Sequence, residues 1–222
     1  RISYDSYAGY PSMMITAVSQ NQLALLMKSV FDKAAAFTIV VLLIPFFTVT
    51  GLMIKLFSRG PVIFCQKRMG LNGRKFYIYK FRTMVPNAEA KLQELMELNE
   101  SDGPAFKIAK DPRIIPYIGT FLRKTSLDEL PQLFNVLCGD MSLVGPRPPI
   151  PSEVEQYNVW QRRRLSMKPG LTCLWQIKPN RNDISFNDWM SLDLRYIDNW
   201  SLKLDFSILF KTAFVVLGVQ GR

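Results

Sequence analysis

Residues 37–54, Phe-Thr-Ile-Val-Val-Leu-Leu-Ile-Pro-Phe-Phe-Thr-Val-Thr-Gly-Leu-Met-Ile, carry no charge, and at about 18 residues they reach the length of a membrane segment. Pro45 sits in the middle. A proline there removes one backbone donor and bends the helix, which lipid tolerates only where other groups satisfy the freed carbonyl. A kinked span and a re-entrant hairpin both meet that condition. Lysine and arginine collect at the cytoplasmic ends of membrane segments, and here both flanks are basic: Lys28 and Lys33 before, Lys55, Arg59, Lys67 and Arg68 after. The pattern favours a helix that enters, breaks at Pro45 and returns, with a single crossing kinked at proline as the alternative.

The 222 residues suffice for one domain with a real core and an appendage. The chain starts at Arg1 instead of Met, which reads as a piece of something longer, and no stretch at the start resembles a signal peptide. Twenty-eight Lys and Arg against eighteen Asp and Glu give a net charge of +10, so an anionic partner is expected: a phospholipid surface, a phosphorylated substrate or nucleic acid. No nucleic-acid module motif is present, and such a partner would leave the apolar segment unexplained. Histidine is absent, which removes Ser-His-Asp, Cys-His and His-ligated zinc schemes together. Cys65, Cys138 and Cys173 are odd in number and widely spaced, and read as buried small apolar residues in a reducing compartment.

Beyond Gly60-Pro61 the composition becomes that of a water-soluble domain. Two β-like runs, residues 62–64 and 76–82, flank Leu71-Asn72-Gly73-Arg74, a hairpin signal with Asn-Gly at the tip. Lys80 and Arg82 lie two apart and so share one strand face. Residues 88–98 place Ala88, Leu92, Leu95 and Met96 at helical spacing, an amphipathic surface helix. Asp111-Pro112-Arg113 is a turn whose Asp111 and Arg113 either pair locally or address a nucleotide. Residues 153–165 read as a helix ending in a solvated or lipid-headgroup-facing Arg162-Arg163-Arg164 face. Apolar helical stretches follow at 186–196 and 202–216, and the four tryptophans of the last third suit either core packing or an interfacial position.

Candidate chemistry concentrates in residues 126–149. An adjacent acid pair, Asp128 and Glu129, precedes a short apolar helix and a Gly145-Pro146-Arg147-Pro148 turn. Carboxylates between Arg123 and Arg147 suit a site where one acid attacks or holds a metal while the guanidiniums grip phosphate oxygens. The competing interpretation is a capping box, Ser126 with Glu129, that merely starts a helix. Pro131 weakens it and moves the expected helix start toward Leu130.

Lys80-Phe-Arg-Thr-Met84, Asp111-Pro-Arg113, Leu122-Arg-Lys-Thr-Ser-Leu-Asp-Glu-Leu-Pro-Gln132, Ser142-Leu-Val-Gly-Pro-Arg-Pro148 and Lys168-Pro-Gly-Leu-Thr172, in this order and spacing, resemble the bacterial sugar transferase family, monotopic polyprenyl-phosphate phosphoglycosyl transferases. The resemblance covers roughly residues 28–222. It implies an α+β, mostly helical fold: an N-terminal remnant of an upstream region (1–30), a membrane-embedded re-entrant helix (31–60), and a compact cytosolic catalytic domain (61–222) with a small β-hairpin and interfacial amphipathic helices. It further implies a magnesium-dependent enzyme of the bacterial inner membrane, its catalytic domain on the cytoplasmic face. The residue matching Asp128 takes a sugar phosphate from a UDP-sugar, releasing UMP, and passes it to polyprenyl (undecaprenyl) phosphate at the start of polysaccharide assembly.

On the same basis Glu129 matches the Mg²⁺ ligand, Arg123 and Arg147 the phosphate-gripping arginines, and Lys80 and Arg82 the basic strand. The expected partners are the UDP-sugar, the polyprenyl phosphate and the phospholipid bilayer, with no nucleic acid and a homodimer left open. A membrane-anchored binder without turnover is the alternative reading. Small members place Ser before the helix-breaking proline, whereas Ile44 stands here. Cys173 and Asn180-Arg181 also depart from the common pattern.

Overall fold

The computed structural model describes residues 2–7, 10–15, 21–88, 95, 108, 111–178 and 184–217. An antiparallel hairpin, β1 (Ile2–Tyr7) with β2 (Tyr10–Ile15), pairs Ile2 with Ile15. Helix α1 (Gln22–Leu42) starts at Asn21, whose side chain accepts a hydrogen bond from the Ala24 amide at 3.0 Å, the usual satisfaction of an orphan donor at a helix start. It stops one residue short of α2 (Ile44–Phe57), where Pro45 falls in the first turn and needs no partner for its missing amide. The two axes differ by 61°. No single described helix is long and apolar enough to cross a membrane, while the bent pair together has the length and composition of a broken span or a re-entrant loop. The break forms with Ile44 before the proline.

Strands β3 (Ile63–Met69) and β4 (Lys75–Phe81) are antiparallel, in register from Ile63 opposite Phe81 to Met69 opposite Lys75. Asn72 (φ 53°) and Gly73 (φ 76°) take the positive φ that the Asn-Gly signal anticipates. They do so in a 3-10 turn, Leu71–Gly73, closed by the Gly70 amide on Arg74 O at 2.8 Å, so the loop is longer than two residues. Next come α3 (Ile118–Thr125) and α4 (Gln132–Cys138), then a parallel pair, β5 (Ser142–Val144) with β6 (Gly170–Thr172). A Cβ on Gly170 would overlap the Gly145 backbone, so the two glycines let the 145–148 and 168–170 turns touch. Helices α5 (Pro151–Glu155), α6 (Val159–Arg162), α7 (Phe186–Asp198) and α8 (Leu202–Leu217) complete the order. The result is mostly helical α+β with three two-stranded sheets among the described residues.

One core joins α1, α4, β4, β5, α7 and α8 through Ala36, Ile78, Leu133, Val144, Tyr196 and Ile208. A smaller cluster, Ile54, Phe81 and Leu122, ties α2 to β4 and α3. The bent helix pair is therefore anchored on both arms to the hairpin strand that carries Lys80. A buried polar knot reinforces the α1 arm: Lys28 Nζ lies 2.6 Å from Asp205, which also accepts from Tyr196 OH at 2.6 Å and Trp200 Nε1 at 3.1 Å.

Several expectations fail. Residues 153–165 are not one helix: the chain breaks after α5, and Asn158 restarts it with Gln161 bonded back to its amide at 2.7 Å. Arg162 and Arg163 are exposed as expected, but Arg164 is fully enclosed, paired with Asp193 at 2.8 Å and donating to Tyr157 OH at 2.9 Å. Cys173 is buried, yet Cys65 and Cys138 are exposed, one near the edge of β3 and one in the last turn of α4. The tryptophans divide: Trp200 belongs to the core, whereas Trp160 is exposed. Most of the amphipathic helix expected over 88–98, together with Asn180-Arg181, lies outside the described residues.

Candidate active site

Ser126 decides how the acids are presented. Instead of capping a following helix it ends α3 in the left-handed region (φ 58°) and makes no side-chain cap, so the capping box does not form. The chain turns through a 3-10 segment, Leu127–Glu129, and α4 begins only at Gln132 with Pro131 as its cap. Asp128 and Glu129 therefore sit on a tight, partly buried turn between two helices. Burial pushes the Asp128 carboxyl up to about 6, and the Glu129 charge adds to that, while Lys80 and Arg123 pull the other way. At neutral pH it is ionised but poorly solvated, which favours a nucleophile.

Lys80 is held opposite by a clamp on its strand. The buried Asn135 of α4 donates to Tyr77 O at 2.7 Å and accepts from the Tyr79 amide at 3.1 Å. That fixes β4 against α4, and Lys80 Nζ donates to Glu129 Oε1 at 2.5 Å. Beside this pair a cleft is lined by Arg68, Lys80, Glu129, Gln132, Arg147 and Gln176. Arg68 is buried and donates to Pro148 O at 3.0 Å and Gln66 Oε1 at 2.6 Å. Burial, and secondarily the Arg147 charge, pull its guanidinium down to about 9, which leaves it cationic. Arg147 stands 3.9 Å from Glu153 and 5.1 Å over the Trp189 ring, the same ring that receives Arg164 at 4.8 Å. Arg68 Nε and Arg147 Nη1 are buried without a hydrogen-bond partner. Such donors cost free energy unless an acceptor arrives, and an anionic oxygen in the cleft would supply one.

The structure thus gathers Asp128, Glu129, Lys80, Arg123 and Arg147. Three other expected site residues make close contacts of their own. Arg82 Nη2 donates to Ser58 O at 2.8 Å, at the end of α2. Asp111 and Arg113 form a local two-pronged pair at 2.8 and 2.6 Å, and that hydrogen bonding holds the Asp111 carboxyl below its ordinary range. The local pair expected of this turn forms, and the charge of Arg123 reaches Asp111 as well. Arg68, Gln132, Gln176 and Trp189 carry no site role in the sequence reading because their relevance depends on tertiary neighbours. The signals available were the place of Gln132 at the end of the acid motif and that of Arg68 beside the strand signal.

No group of three or more Asp, Glu, Cys or His side chains that could hold a metal occurs among the described residues. Two adjacent carboxylates are nonetheless the hard oxygen set that Mg²⁺ uses, since it takes few protein ligands and completes its shell with water and phosphate. The site therefore fits that ion and does not suit a closed all-protein metal cage.

Comparison with known proteins gives the family. Residues 23–219 match the bacterial sugar transferase family. The chain is 52% identical over 158 residues to a galactosyl transferase, CpsE, of Streptococcus agalactiae, covering 71% of this chain and 35% of the relative. It is 44% identical over 205 residues to the undecaprenyl-phosphate galactose phosphotransferase of Salmonella typhimurium, covering 88% and 41%. It is 40% identical over 198 residues to the exopolysaccharide production protein ExoY of Sinorhizobium fredii, covering 87% of each. The chain thus spans well under half of the first two relatives and most of the third. With its acid turn, basic strand and arginine cleft inside the matched region, the chain belongs to the bacterial sugar transferase family.

Proposed function

We propose that the protein transfers a sugar 1-phosphate from a UDP-sugar to undecaprenyl phosphate at the cytoplasmic face of the inner membrane. The Asp128 carboxylate attacks the β-phosphorus, the bond to the bridging oxygen breaks, and UMP departs with that oxygen. A phosphate oxygen of the lipid acceptor then attacks the same phosphorus, the aspartyl bond breaks, and polyprenyl diphosphate sugar leaves with Asp128 restored. No proton relay is needed at either step, consistent with a chain that has no histidine. Arg147 and Arg68 would receive the phosphoryl oxygens on their unpartnered donors, and Arg123 would offset charge beside Asp128. Glu129 would hold Mg²⁺ together with substrate phosphate oxygens, and the ion's chemistry there is neutralisation of diphosphate charge.

The single observation that carries this reading is the partly buried Asp128, its carboxyl raised to about 6, next to a cleft of cations with unsatisfied donors. Exposed apolar side chains on the bent pair, including Leu42, Leu52 and Leu56, support placing that pair in the bilayer, level with a lipid acceptor. The test uses a nucleotide sugar labelled in the sugar, with Mg²⁺ and without lipid acceptor. Wild type is expected to retain label as a hydroxylamine-sensitive acyl phosphate, and Asp128→Asn to retain none and not to turn over. An adduct on Asp128→Asn would overturn the covalent assignment.

A further inference from the structure

A second cavity, larger and more apolar than the cleft at the acids, opens at the other end of α4, with a volume of about 170 Å³. Its walls are Leu25 of α1, Val136 of α4, Met141 and Met167, and its mouth is set by Lys33, Lys168 and Gly139. The two ammonium groups converge: Lys33 Nζ and Lys168 Nζ lie 3.8 and 3.9 Å from the point where a Cβ on Gly139 would stand. Both lack a carboxylate partner among the described residues. The other charges of the wall are already satisfied, Lys28 by Asp205 and Asp32 by Lys28 and Ser142. Nor are the lysines needed to close α4, because the Asn135 and Val136 carbonyls accept from the amides of Gly139, Asp140 and Met141. Ser166 Oγ, buried and without a partner, lines the same space.

An apolar chamber with two convergent cations and a spare hydroxyl at its polar rim is complementary to an anionic amphiphile. Lys33 is also the last charge before an uncharged run from Ala34 to Ile54, so if that run lies in lipid, the mouth sits at headgroup depth. We propose that this cavity binds one anionic phospholipid of the bilayer, its phosphate on Lys33 and Lys168 and the first part of an acyl chain among Leu25, Val136, Met141 and Met167. The site is separate from the acid turn and would act as a lipid tether for α1. The inference rests on the membrane placement proposed above.

The test titrates the purified full chain with dioctanoyl phosphatidylglycerol, dioctanoyl phosphatidylcholine and inorganic phosphate, following the melting temperature. Phosphatidylglycerol is expected to stabilise saturably and at least about tenfold more tightly than phosphatidylcholine, whose choline cation the lysines repel, since one charge-assisted contact corresponds to about that factor. Lys33→Gln with Lys168→Gln should weaken it at least as much, while the doubly Arg-substituted chain should keep it. Ser29→Phe, which fills the wall of the cavity and leaves both cations in place, should also abolish the saturable shift. Equal affinity for the two lipids, an unchanged Gln double variant, or full stabilisation by inorganic phosphate alone would each overturn the proposal, the last by showing a simple anion site. Flotation with phosphatidylcholine–phosphatidylglycerol vesicles separates the two readings. Failure of wild type to float defeats the membrane placement, and flotation with a flat lipid titration defeats the cavity assignment alone.

Discussion

Asp128 is held in a conflict that the fold does not relieve: withdrawal from water and the charge of Glu129 outweigh the attraction of Lys80 and Arg123, and its carboxyl rises from 3.8 to about 6. The sign of the consequence follows from linkage. Below pH 3.8 the group is protonated in both folded and unfolded chains and changes nothing. As pH rises through the window up to about 6, the unfolded chain gives up its proton first, so folding loses stability, and the loss stays in place above it. Asp128→Asn has no such penalty. It should melt above wild type at pH 7.5, by about 1 kcal/mol after solvent screening, or roughly 2–4 °C for a chain of this size. The gap should close as pH falls toward 4; a calorimetric series showing a constant gap would refute the raised carboxyl. Arg147 makes a second residue-scale prediction. Arg147→Ala should reduce kcat/KM by at least tenfold, as expected for a lost charge-assisted phosphate contact of about 1.5–3 kcal/mol, while exposed Arg162→Ala should leave it within about twofold. Arg164 is no substitute control, because removing it would strand a buried Asp193. The run Arg162-Arg163-Arg164 looks uniform in sequence; only the packing of α7 separates its last member from the others.

At the scale of elements, what sequence conveyed depended on whether the signal was local. Asn72-Gly73 requires positive φ and found it, so the β3–β4 hairpin was readable to within a few residues. The Ser126–Glu129 pattern has the spacing of a cap, but Pro131 and the competing end of α3 put Ser126 in the left-handed region instead. The helix expected over 153–165 carried the right residues yet lost its middle to a second start at Asn158. The Asn135 clamp was invisible, since it links α4 to a strand more than fifty residues away. It is also the element on which the Lys80–Glu129 contact depends. Asn135→Leu should orphan Tyr77 O and the Tyr79 amide, costing about 1–3 kcal/mol for each buried group, read as a lower denaturant midpoint. Asn135→Asp keeps the acceptor for Tyr79 but buries a carboxylate oxygen against Tyr77 O, so its loss should be at least as large. Under conditions where both variants are fully folded, turnover should still fall at least tenfold in Asn135→Leu; wild-type turnover there would mean that the clamp does not set Lys80.

At the scale of the whole molecule, the acid turn, the basic strand and the uncharged segment were all legible in sequence because each is a contiguous motif. The arginine cleft was only half legible: Arg147 stands in a motif, whereas Arg68 and Trp189 join it through the packing of β3 and α7. If the bent pair lies in the bilayer as proposed above, the way its arms pack favours a return over a crossing. α1 is fastened to α8 by Lys28 and Asp205, and α2 is fastened to β4 and α3 by Ile54, Phe81 and Leu122. Both arms thus lead back to the same body, with the break at Leu43 between them. A helix that crossed the bilayer would carry one of those contact sets to the far side, away from the domain it packs on. The measurable outcome is topology. Cysteines placed at Gln22 and Arg59, both exposed, should react with a membrane-impermeant thiol reagent only from the cytoplasmic side. Lys28 is unsuitable as a probe because it is buried in the ion pair. Cys65, Cys138 and Cys173 must first be replaced, the first two because they are exposed and would react themselves. Labelling of Gln22→Cys and Arg59→Cys from opposite sides would establish a crossing span and would require the anchoring of one arm to come apart in the membrane.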